Sequence, residues 1–133
     1  MYFCQNQFLK MQKLSVVVIT LNEERNIKRC LESVRNIADE IIVVDSFSTD
    51  ATEHICKEMG ASFYSEKWLG YSEQKNFGNT KASNDLVLSI DADEALSSEL
   101  EKSILELKET IKLGEAYIIN TRYRLLIGIE LCV

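Results

Sequence analysis

Three stretches of this chain are apolar and largely β-branched: Leu14–Thr20 (LSVVVIT), Glu40–Val44 (EIIVV) and Leu86–Ile90 (LVLSI). A strand with one wet face alternates apolar and polar residues. Near-continuous runs of this length fit strands covered on both faces. Helical spacing fills the gaps between them. Ile27, Cys30, Leu31, Val34 and Ile37 follow the first run; Ala51, Ile55, Cys56 and Met59 follow the second, with Gly60 as a stop. Ala61–Tyr64 reads as a short strand, and Trp68–Ser83 as a polar, partly helical segment interrupted by Gly70 and Gly78. Ser98 and Glu101 read as a capping box for a helix with the stripe Leu100, Ile104, Leu107 and Ile111, closed by Gly114. Ala116–Asn120 reads as one more strand. Strands alternating with helices predict an α/β fold: a mostly parallel sheet with helices on both faces.

At 133 residues the chain has one domain's length. The pattern divides it into a lead-in (1–12), a folded unit (13–121) and a tail without periodicity (122–133). A net charge of −6 argues against a nucleic-acid partner, whose binders carry a basic footprint. No apolar run is long enough to span a membrane, and the start MYFCQNQFLKMQK has no signal-peptide core, so a cytoplasmic location is expected. Cys4, Cys30, Cys56 and Cys132 form no CxxC pair, which argues against a zinc cluster and for reduced, buried thiols.

Open parallel sheets bind ligands beyond the carboxyl ends of their strands. That rule selects Thr20–Glu23, Asp45–Asp50 and Asp91–Glu94, all rich in carboxylates, hydroxyls and amides. The first turn reads TLNEERN, which excludes a glycine-rich dinucleotide loop. Asp91 and Asp93, one residue apart after a strand, can share a hard cation; the competing reading is an acidic turn leading into a helix. Asp45 can accept hydrogen bonds from a base or ribose. Asn22 reads as a helix cap with Glu23 and Glu24 in the first turn, and Asp50 as a second cap. Lys75 is either a solvated charge or a phosphate partner. Trp68 is expected in the core or a lid rather than stacked on a ligand. His54, the only histidine, is expected on the surface, which argues against a histidine-based triad.

The segments TLNEE (20–24), VVDSFSTDAT (43–52) and DADE (91–94), in this order and spacing, resemble the family 2 glycosyltransferases. WLGYSEQKNFG (68–78) is similar to the matching segment of the lipopolysaccharide core glycosyltransferases of Gram-negative bacteria. The resemblance spans roughly residues 13–120. It implies a GT-A nucleotide-sugar-binding, Rossmann-like fold and an inverting sugar transfer. Thr20, Leu21, Asn22 and Glu23 would lie against the nucleoside, and Asp45 and Ser46 at the base. Lys75 and Asn76 would lie near the donor, Asp91 and Ala92 at the ribose or metal, and Asp93 would hold Mg²⁺ or Mn²⁺. The implied partners are a nucleotide sugar, a UDP-sugar first, and a glycan or lipid-linked acceptor. The implied place is the cytoplasm, peripheral to the inner membrane. The family's catalytic base follows the DXD motif. TRYRLLIGIELCV (121–133) does not match the family there, so the chain is expected to be the donor-binding part, with its base elsewhere. Two other readings stand beside this one. The first is a Mg²⁺-dependent phosphotransferase or phosphatase with Asp91 as nucleophile. The second is a non-catalytic nucleotide-binding piece that forms a homo-oligomer through an uncovered edge.

Overall fold

The computed structural model describes residues 11–111 and the backbone of two short strands at 119–120 and 125–126. The elements are β1 (Leu14–Thr20), α1 (Ile27–Val34), β2 (Glu40–Asp45), α2 (Thr52–Glu58), β3 (Ser62–Ser65), α3 (Tyr71–Lys81), β4 (Leu86–Asp91), α4 (Ser98–Thr110), β5 (Ile119–Asn120) and β6 (Leu125–Leu126). The main sheet runs β3-β2-β1-β4 and is parallel throughout. β1 is central and every one of its residues is buried, as its uninterrupted apolar run requires.

The two faces of β1 feed two cores. Leu14, Val16 and Val18 pack with Ile27, Leu31 and Val34 of α1, Cys56 of α2 and Ile104 of α4. Val17 and Ile19 pack with Ile42, Val44 and Val87, and Phe77 of α3 lies against them. Helices therefore cover both faces, α3 opposite the others. Gly78 permits the α3 contact, because a Cβ there would overlap Val17 Cγ1 and sit 3.1 Å from Val44 Cγ2.

The helix starts differ from the sequence reading. Asn22 is not a cap: it has φ 52°, and α1 begins at Ile27 with no acidic residue in its first turn. Its amide is used across loops instead, with Oδ1 accepting from Thr49 N–H at 2.8 Å. The cap of α4 is Ser97, not Ser98: Ser97 Oγ accepts from Leu100 N–H at 3.2 Å. Replacing Ser97 by alanine should cost about 1 kcal/mol in a urea titration, while Ser98→Ala should change little. The cap of α2 is Ala51, with no side-chain cap hydrogen bond, and not Asp50, which stands one residue earlier and whose Oδ1 accepts from Thr52 N–H at 3.0 Å. The strand expected at Ala116–Asn120 is described only at Ile119–Asn120. It pairs antiparallel with Leu125–Leu126, inside the stretch read as an unpatterned tail, and does not extend the parallel sheet. Gly114, Cys4, Cys132 and the lead-in before Met11 lie outside the described residues.

Cys30 and Cys56 are buried free thiols, each pushed up to about 12 chiefly by burial, so neither is a ready nucleophile. His54 is on the surface, 3.2 Å from Glu58 Oε1. At the amino end of the sheet, Lys108 is 4% exposed and donates to Ile37 O at 2.7 Å and Asp39 Oδ2 at 2.8 Å. Glu40 accepts from Ser15 Oγ and from Ser83 N–H. Burial alone would raise both carboxyls. For Asp39, hydrogen bonds from Lys108 and Leu14 and the lysine charge outweigh it; for Glu40, the serine hydrogen bonds do. Both therefore lie below their ordinary values. A carboxyl lowered in the folded state stabilises the fold above its unfolded pKa, and that contribution is lost as pH falls through the folded one. The thermal midpoint should thus drop as pH falls below about 4, and less steeply in Asp39→Asn.

Candidate active site

Parallel register brings three strand ends to one edge. Thr20 lies beside Asp45 of β2, and Ile19 beside Asp91 of β4. Because β2 and β4 leave β1 on opposite sides, the sheet's order reverses here, and a crevice opens at such a point. Ile19, Thr20, Leu21, Glu23, Trp68, Tyr71, Asp91, Ala92 and Asp93 line a cleft of about 290 Å³ at this edge.

Two buried polar atoms of the strand ends accept no hydrogen bond. Thr20 is 6% exposed, and its Oγ1 has no hydrogen-bond partner. Asp91 Oδ1 is also buried and accepts no hydrogen bond, although Lys75 Nζ lies 3.0 Å from it. Both atoms are sealed from solvent, so the exposed acidic residue of the cleft is Asp93.

The acidic turn is held through its backbone. Ala92 N–H donates to Ile19 O at 3.1 Å, Glu94 Oε2 accepts from Asp91 N–H at 3.1 Å, and Glu94 N–H donates to Asp91 O at 3.0 Å. Arg29 Nη2 reaches across from α1 to Asp93 O at 2.9 Å. The Asp93 side chain is left exposed. Arg29 escaped the sequence reading. The available signal was the spacing of Arg29 and Ser33, i and i+4 on α1: Ser33 Oγ accepts from Leu96 N–H at 3.0 Å in the same loop.

The remaining candidates divide. Asn22, Asp45, Ser46, Lys75 and Asn76 do not line the cleft. Asp45 is buried and already engaged: Oδ2 accepts from Ser48 N–H at 2.7 Å and Oδ1 from the Ser48 hydroxyl. Its carboxylate therefore first shapes the loop, in which Phe47 has φ 63°. That is a costly conformation for a bulky residue, of the kind found at binding loops. Ser46 Oγ accepts from the buried Gln74 of α3 at 2.9 Å. Asn76 is exposed on α3. Trp68 is not in the core; it is 45% exposed at the cleft.

Residues 15–122 match the model of glycosyl transferase family 2. The chain belongs to this family. An uncharacterised glycosyltransferase of Rickettsia typhi is 53% identical over 94 residues, covering 71% of this chain and 32% of the relative. The lipopolysaccharide core biosynthesis glycosyltransferase LpsC of Rhizobium meliloti is 39% identical, covering 71% of this chain and 36% of that protein. The chain thus spans about a third of the length of these curated relatives. Among solved structures, glucosyl-3-phosphoglycerate synthase of Mycobacterium tuberculosis superposes with a TM-score of 0.65 at 28% identity, covering 80% of this chain and 43% of that one. The same enzyme with Mn²⁺, UDP and phosphoglyceric acid gives a TM-score of 0.65 at 28% identity, covering 80% and 42%. The parallel sheet of this family 2 member is of the GT-A type. Among its described residues, no group of three or more His, Cys, Asp or Glu could hold a metal unaided.

Proposed function

We propose that this chain binds a nucleoside diphosphate sugar, a UDP-sugar first, and presents it for inverting transfer to a hydroxyl of a glycan or lipid-linked acceptor, in lipopolysaccharide or cell-envelope synthesis. The carrying observation is the cleft at the reversal point of the parallel sheet, lined by Thr20 and Glu23 from the end of β1 and by Asp91 and Asp93 from the end of β4.

The donor set fits Mg²⁺ or Mn²⁺. Such an ion usually takes one or two protein carboxylates and completes its shell with substrate phosphates and water. Asp93, exposed at the turn, and Asp91 would hold it. When bound, the ion stabilises the charge on the departing nucleoside diphosphate. The chain's own groups do the rest. Thr20 lies against the nucleoside at the end of β1. Asp91 accepts from a ribose hydroxyl or serves the ion. Lys75, now balanced by Asp91, places a positive charge beside the phosphates. Leu21, Asn22 and Glu23 border the nucleoside, with Asp45 and Ser46 behind it, where each Asp45 oxygen retains a lone pair. Asn76 and Ala92 complete the donor site.

The acceptor hydroxyl must lose its proton to a base within hydrogen-bond reach. Glu94 is occupied by Asp91 N–H, and the base is assigned to no residue of this chain. Residues 13–121 form the donor-binding unit in this reading. The relatives' LpsC name supports the envelope role, and the UDP and Mn²⁺ of the solved neighbour support the donor and the ion. No helix among the described residues is long and apolar enough to cross a membrane, and we place the protein in the cytoplasm, peripheral to the inner membrane. Titrating the 133-residue chain with UDP in a calorimeter should show binding that requires Mn²⁺. Absence of binding with the ion present would overturn the proposal.

A further inference from the structure

Trp68 and Tyr71 lie in the loop after β3 and at the start of α3, remote in sequence from the acidic strand ends. Both line the same cleft as Thr20 and Asp91, and both are largely open, at 45% and 65% exposure. Their rings meet edge to face, 4.9 Å apart and at 88°, so the Trp68 plane is braced before any ligand arrives. A braced aromatic face in a cleft that Glu23, Asp91 and Asp93 also line gives it one apolar side and one acidic side.

We infer that Trp68, supported by Tyr71, is the stacking wall for the nucleobase of the donor; this rests on the donor-binding reading above. The covalent order of a nucleoside diphosphate sets the assignment. With the diphosphate at Asp93 and the ribose at Asp91, the ring reaching Thr20 and Trp68 belongs to the nucleoside, not to the transferred sugar. The flat face of the base then lies on the indole. Stacking on an aromatic wall tolerates different bases, so this wall supplies affinity, and Thr20 with the loop around Asp45 supplies choice.

Trp68 is the only tryptophan of the chain, so its emission reports on this wall alone. With Mn²⁺ present, UMP, UDP and UDP-glucose should each quench it, and glucose-1-phosphate should not. Trp68→Ala should raise the calorimetric Kd for UDP about tenfold or more, and Trp68→Phe should recover most of that loss. Tyr71→Ala, which keeps the reporter, should weaken binding and reduce the quenching. Quenching by glucose-1-phosphate but not UMP would overturn the inference, as the wall would then take the sugar. Calorimetric UDP binding with unchanged Trp68 emission would overturn it and leave the donor reading intact. No UDP binding at all would remove both.

Discussion

Asp93→Ala should weaken Mn²⁺-dependent UDP binding at least about a hundredfold, or ~2.7 kcal/mol, while leaving the fold intact. The reasoning starts from how the turn is held. Arg29 binds the Asp93 carbonyl, Glu94 bonds the main chain of Asp91, and Ala92 N–H donates to β1; none of these uses the Asp93 carboxylate. The side chain is exposed, so its removal creates neither a cavity nor an unpaired buried group. Any loss is then a loss of ligand contact. An ion held by only one or two protein carboxylates cannot spare one. Without Mn²⁺, the variant and the parent should bind UDP equally weakly. The check is calorimetry with and without the ion, with circular dichroism to confirm the fold. Equal Mn²⁺-dependent affinity in the variant would remove Asp93 from the metal site.

The second large effect is expected far from the cleft's carboxylates. Gly78→Ala should destabilise the fold by about 2–3 kcal/mol. Alanine is the better helix former by about 1 kcal/mol, so an exposed helix position would gain from this exchange. Here the new methyl would meet Val17 of the central strand and, at 3.1 Å, Val44 of its neighbour. Both partners are fully buried in the sheet and have no room to withdraw. The overlap should therefore outweigh the propensity gain. Urea unfolding gives the test, with Ser72→Ala on the exposed part of α3 as a control expected to stay within about 0.5 kcal/mol of the parent. Because α3 carries Tyr71 and Lys75, displacement of the helix should also loosen the cleft.

Much of the fold was legible because burial on both faces leaves a strong mark. The runs at Leu14, Glu40 and Leu86 became β1, β2 and β4, and the helical stripes between them became α1 and α2. The helix starts were less legible. Asn22 has a good capping side chain, yet its partner is Thr49, on a loop that sequence distance does not connect to it. Ser97 and Ser98 are both capping residues, and only backbone geometry selects between them. In the cleft, Thr20, Leu21, Glu23, Asp91, Ala92 and Asp93 were legible as strand-end residues of a parallel sheet. Tyr71 was not, since a tyrosine in a polar segment carries no mark of what it will face, and Arg29, which holds the neighbouring turn, was marked only by its spacing to Ser33 on α1. Trp68 was read as core or lid, and the structure excludes the core: its loop leaves it 45% exposed at the cleft.

The sequence by itself determined the parallel α/β order, the edge at which a ligand would bind, and the family. The first two follow from local runs, continuous apolar strands, helical stripes and polar residues at strand ends; the family follows from the resemblance of the motifs at residues 20–24, 43–52, 68–78 and 91–94. Only the tertiary structure decided which of those polar groups remain unsatisfied. Asp45 and Asp91 both end buried strands, but Ser48 engages the first, while the second has a charge partner and no hydrogen bond to Oδ1. That difference depends on how two loops and a helix from separate parts of the chain close over the strand ends, and satisfaction of a polar atom is a property of its neighbours in space.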